Sequence, residues 1–213
     1  MVVVILVGIL AVMAIPAMGD ARIDQHAYND ATLVADLVRE ARVHAIGRGA
    51  ATLVTLSASS SDPGTFTMYE AIGADTANET TGKGTSPRTT CRAPTDWTKT
   101  SSAAPNDVWA RQVGQQIKLG NYESTYRIGA KVYVDTGTPS KKDQVHICFT
   151  PLGRSYLVTT AAPVFDAAAP MTGIVEVELA RRDTSAVLVG LARRVLIPPS
   201  GSARLLSTAV ALP

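Results

Sequence analysis

The chain has 213 residues, 46% hydrophobic and 18% charged, and its 20 basic and 18 acidic side chains leave a formal net charge of +2. That is one domain of ordinary size, with or without an appendage; it excludes a disordered chain and a strongly electrostatic nucleic-acid binder, leaving a local basic patch open. Two cysteines cannot form a four-ligand zinc site, three scattered histidines do not complete one, and aromatics at 5% leave the core to Val, Leu, Ile and Ala.

Residues 1–19 carry no charge, and the first charged side chain is Asp20. At about 1.5 Å per residue the stretch reaches roughly 28 Å, enough to cross a hydrocarbon core. Three readings compete. A cleaved signal peptide has a small-x-small site at Ala17-Met18-Gly19 but lacks a basic leading region. A buried helix of a soluble protein would show a polar stripe. A retained membrane helix suits both length and uniform apolarity, and is favoured.

From Asp20 to Arg48 helical periodicity continues. Ala27, Ala31, Val34, Val38, Ala41 and Ala45 share one stripe, whereas Asp24, Asp30, Asp36, Arg39 and Glu40 fall elsewhere. Gly47 and Gly49 supply a stop signal, and Pro16 is expected to kink the rod. A membrane helix running on into an amphipathic stalk, packed against the protein's own sheet in its second half, fits this pattern.

Beyond the helix the chain reads as strands and loops. Strands are expected at 51–57, 65–72, 116–119, 130–134, 144–149, 155–160, 173–180 and 186–197, with a Ser-Asp-Pro-Gly turn at 61–64. Residues 73–106 form a long loop, because eighteen of thirty-four are Thr, Ser, Gly or Pro. One helix followed by many strands predicts an α+β fold with an antiparallel sheet covering the helix.

The opening run MVVVILVGILAVMAIPAM, with Gly8, Ile9, Ala11 and Ala14-Ile15-Pro16, resembles the N-terminal helix of type IV pilins and pseudopilins. Ile147 to Arg154 is similar to the Phe-x-Pro-x-Gly-Arg run of the FimT/GspH group, the minor pilins and the H-type minor pseudopilin of type II secretion. Arg193 to Ile197 with Gly201, Ala203 and Arg204 resembles that group's terminal strand. Leu37, Ala41, Arg42, Ala45 and Ile46 resemble its helix run. The group's processing motif would lie upstream of Met1, so the acidic residue of filament assembly has no counterpart to assign here.

The resemblance implies a pilin-like α+β fold: a long N-terminal helix, membrane half plus amphipathic half, packed on an antiparallel β-sheet head. Its domains would be 1–19, the membrane and filament-core half; 20–48, the amphipathic half; and 49–213, a periplasmic head carrying the 73–106 loop. Val2, Val3, Val4, Ile5, Leu6, Gly8, Ile9, Leu10 and Pro16 would form the membrane and assembly helix. Expected partners are other pilin-like subunits, the inner membrane and, where a leader exists, a prepilin peptidase. The expected location is the bacterial inner membrane, single-pass, then a pilus or pseudopilus.

An anchor would put Cys91 and Cys148 outside the cytoplasm, which favours a disulfide over two buried thiols. Closing that loop would contribute about 4 kcal/mol.

No catalytic set is visible: no nucleophile elbow, phosphate loop or His-Glu-x-x-His. His26, His44 and His146 read as structural. Asp135, Gly137 and Asp143 suggest a calcium loop that Lys141 and Lys142 oppose. No enzyme activity, cofactor or metal is expected.

DNA capture by related minor pilins makes Arg193, Arg194 and Arg204 candidate DNA contacts. Residues 151–213 hold six Arg against four acids. Neighbours in a strand face opposite ways, so solvated surface arginines are the favoured reading. The expected function is a structural minor pilin or pseudopilin subunit. The alternatives are a membrane-anchored or secreted ligand-binding domain unrelated to pili, and a DNA-binding minor pilin.

Overall fold

The computed structural model describes residues 2–59, 62–73, 86–92, 94, 97–98, 108–120, 126–165, 170–183 and 188–208, with backbone alone at 2–23, 126, 127 and 183. Helix α1 (Val2–Arg48) is followed by β1 (Thr52–Ser57), β2 (Thr65–Gly73), β3 (Ser86–Pro87), β4 (Val108–Lys118) and β5 (Tyr126–Asp135). Then come β6 (Pro139–Lys142), β7 (Gln144–Phe149), β8 (Ser155–Val158), β9 (Ile174–Asp183), β10 (Ala192–Ile197) and β11 (Arg204–Thr208). They build two antiparallel sheets: β3-β2-β1-β7-β8, with β4 also on β2, and β11-β10-β9-β5-β6.

Period-two alternation assigns the faces. In β7, Val145, Ile147 and Phe149 enter the main core, while His146 and Cys148 point to the opposite side. Val54 and Leu56 of β1, with Phe66 and Met68 of β2, extend that inner face. From the second sheet Val132, Val134, Val175, Val177, Leu179, Val195 and Ile197 close the same core. Ala27, Ala31, Val34, Val38, Ala41 and Ala45 of α1 are all buried in it. Four of those six are alanine, so the helix backbone sits close to both sheets. Truncating a fully buried side chain such as Ile147 to Ala would cost about 2–5 kcal/mol.

This corrects the expected fold class. The structure is mostly antiparallel β, in two sheets that both pack against α1, and not a helix laid on a single sheet. Strand alternation reports a buried face, not the sheet to which that face belongs, so two sheets were read as one. The membrane half is overturned as well. Among the described residues no helix is long and apolar enough to cross a membrane. The single-pass anchor and the inner-membrane location fall with it. For Val2, Val3, Val4, Ile5, Leu6, Gly8, Ile9, Leu10 and Pro16 the side chains lie outside the described residues, as does most of the 73–106 loop.

Three strands went unread in the sequence: β3, β6 and β11. The expected strand at 116–119 is the end of β4, and the one at 186–197 shortens to β10 with an isolated bridge at Leu188.

Candidate functional site

Three stretches distant in sequence meet at one junction. Strand β7 ends at Phe149 and turns through Thr150–Arg154, where the Thr150 N–H donates to the Arg154 carbonyl at 2.9 Å and the Gly153 N–H to the Thr150 carbonyl at 2.9 Å. A second turn, after β10, has the Gly201 N–H donating to the Pro198 carbonyl at 2.8 Å. The Ser155 hydroxyl donates to the Pro199 carbonyl at 2.5 Å and ties the two turns together. Helix α1 supplies the third side. Arg39 donates from Nε and from a terminal nitrogen to the Ala203 carbonyl at 3.1 and 2.7 Å, and Arg42 lies between the turns.

Gly201 has φ +71°, and a Cβ there would stand 2.7 Å from Phe149 Cε1 and 3.0 Å from Arg42 Cδ. Only glycine meets both demands. A Cβ on Gly153, also in the left-handed region, would approach the Arg42 guanidinium at 3.9 Å.

Next to this junction the sheet's outer face carries a second core. Cys91 and Cys148 form a disulfide across 57 residues of sequence. The Trp97 indole donates to the Cys91 carbonyl at 3.0 Å and meets Phe165 edge-on at 6.4 Å. Ala51, Leu53, Ala71 and Ala110 complete the cluster. Part of the Thr-rich stretch is therefore pinned to the sheet. Between Thr89–Arg92 and Thr150–Arg154 lies a groove of about 490 Å³, with Tyr156 and Phe165 also lining it.

Elsewhere polar groups lock elements together. Glu70 of β2 is completely buried and accepts from Arg48 Nε at 3.2 Å and from Arg111 at 2.5 Å, with His44 Nε2 3.6 Å away. Burial alone would raise its carboxyl, but Arg111 and then Arg48 outweigh burial and hold it below the ordinary 4.5. On the outer face of the second sheet Arg182 pairs with Glu178 at 3.3 Å and Arg194 with Glu176 at 3.2 Å. Burial, reinforced by Glu178, pushes the Tyr133 hydroxyl up to about 12, and burial raises Glu176 despite Arg194.

The basic candidates do not gather. Arg193 lies 5.6 Å from the Tyr28 ring centroid and bonds Ser207, Arg194 is spent on Glu176 from the other face, and Arg204 is exposed. His26 is exposed on α1, and His146 is buried with its Nδ1 3.1 Å from the Thr55 hydroxyl. Asp135 accepts from the Gly137 N–H at 2.8 Å, closing a turn. Among the described residues no group of three or more His, Cys, Asp or Glu could hold a metal ion.

Sequence reasoning missed Glu70 and the groove. A lone acid in the apolar run TFTMYEAIG was the available signal for Glu70, because an unpaired carboxylate is not buried there without cationic partners. Nothing in the spacing of Arg92, Tyr156 and Phe165 announces the groove. No protein-family model matches the chain, no curated protein matches it, and no solved structure matches it.

Proposed function

We propose that the chain is a structural subunit of the FimT/GspH minor pilin or pseudopilin type, which joins other pilin-like subunits in a type IV pilus or type II secretion pseudopilus and catalyses no reaction. One observation carries the reading. The three runs that resemble that group, Leu37–Ile46, Ile147–Arg154 and Arg193–Arg204, are far apart in sequence, yet Arg42, Phe149, Gly153 and Gly201 meet at a single junction. A resemblance by chance would have no reason to converge.

Subunit packing would use the solvent side of α1, where Tyr28, Val43 and Ile46 are exposed at 47%, 69% and 53%. They lie within about 60° of one another around the helix. The test is a photo-crosslinking residue at Val43 or Ile46 in the native host, with adducts identified by mass spectrometry. Adducts to pilin-like subunits are expected; adducts to other proteins alone, or none, would overturn the reading. The DNA-binding alternative is weaker, because Arg193 and Arg194 are engaged on opposite faces of β10.

A further inference from the structure

Subunit packing along α1 leaves the groove beside the disulfide without a role. Its volume of about 490 Å³ lies within the range of small-ligand sites. Cys91, Pro151, Leu152, Tyr156 and Phe165 give it an apolar lining, to which Thr89, Thr90 and Thr150 add hydroxyls. Arg92 and Arg154 also line it, and both are exposed. No described lining residue is acidic. An apolar trough with a guanidinium on each wall, and no acid among its described lining, selects a ligand that is apolar along its body and anionic at one end, since a guanidinium fork fits a carboxylate. The two walls come from opposite ends of a 57-residue span and are joined by Cys91–Cys148.

We propose that this groove binds a carboxylate carried on an apolar body of aromatic size, and that the disulfide holds the site together. The inference is independent of the filament reading. Two sources carry that chemistry, a free small acid and the C-terminal residue of a polypeptide, and the probes below separate them.

The experiment is isothermal titration of the full, oxidised chain with 3-phenylpropionate and its neutral counterpart 3-phenylpropan-1-ol, and with a pentapeptide ending in Phe as the free acid and as the amide. At least one acid should bind saturably, and its neutral counterpart about tenfold more weakly. Arg154→Gln should weaken the acid about tenfold, and Leu152→Asp should weaken it by repulsion. Leu152 is 85% exposed and Arg154 is exposed, so both variants should melt as the parent does. Tighter binding of the peptide acid assigns a polypeptide terminus; tighter binding of phenylpropionate assigns a small metabolite. Reduction should abolish binding of either. No saturable binding of either acid to millimolar concentration, equal binding of acid and neutral partner, or affinity indifferent to both substitutions overturns the site. Undiminished binding after reduction overturns the part assigned to the disulfide.

Discussion

Cutting the Cys91–Cys148 crosslink is the perturbation whose size follows most directly from the structure. The bridge closes a loop with a sequence separation of 57. In the chain-entropy account, fixing the ends of such a loop removes about 14 cal/mol/K from the unfolded ensemble, or about 4 kcal/mol at 25 °C. For a chain of this length each kcal/mol shifts Tm by roughly 2–4 °C, so Tm should fall by about 8–16 °C. The variant to use is Cys91→Ala with Cys148→Ala, since both sulfurs are buried and serine would bury unpaired hydroxyls. Circular dichroism melts of the parent with and without reductant, beside the variant, measure the effect. Trp97 donates to the Cys91 carbonyl, so its emission should shift to the red when the bridge is cut. A Tm change below about 2 °C, in both reduced parent and variant, would refute the reasoning: the strap would then be held by its apolar contacts alone.

Three further outcomes follow from groups already placed. Gly201→Ala should destabilise the fold by about 1–3 kcal/mol in denaturant titration, through its φ of +71° and its encroachment on Phe149 and Arg42. Because the folded Glu70 carboxyl titrates below 4.5, its stabilisation is present above the unfolded value and is lost as pH falls through the folded one. Glu70→Gln should cost about 2 kcal/mol at neutral pH, since Arg48 and Arg111 are half-exposed and screening tempers the pair, and the variant's acid-unfolding limb should be flatter. His146 is held below 6.5 by burial, against hydrogen bonding to the backbone at Thr160 and Ala161. The folded chain binds this proton more weakly than the unfolded one, so the residue drains stability as pH drops below the ordinary 6.5; His146→Gln should remove that component from a stability profile between pH 7 and 5.

Local structure was more legible than assembly. Strand β7 was read to its ends, 144–149, because β-branched and apolar residues alternate there with a clear stop at Thr150-Pro151. The stripe from Ala27 to Ala45 was read because steps of four and three place those residues on one side of a helix, and each is buried. Strand β6, Pro-Ser-Lys-Lys, offers neither alternation nor apolar side chains; it is a strand only because its backbone pairs with Val132–Asp135. The length of β4 was hidden by its polar middle, where Arg111, Gln112, Gln115 and Gln116 face solvent, and by the register shift opposite Phe66 and Met68. Two sheets could not be told from one, since each strand records how deeply its faces are buried and not its neighbours. The Cys91–Cys148 bridge is present as expected, although the anchor from which it was argued is not borne out; the groove it shapes depends on where Thr89–Arg92 and Thr150–Arg154 come to rest, which is a property of the assembled fold.

Among the described residues the second sheet ends on the short strand Pro139–Lys142. Its first residue has no N–H to offer, and Lys141 and Lys142 set two positive charges beside the open row of backbone groups. An approaching β-edge from another copy would meet repulsion and a missing donor at once. Self-association by indefinite strand addition is thereby discouraged along that margin, and molecules crowded side by side can remain discrete.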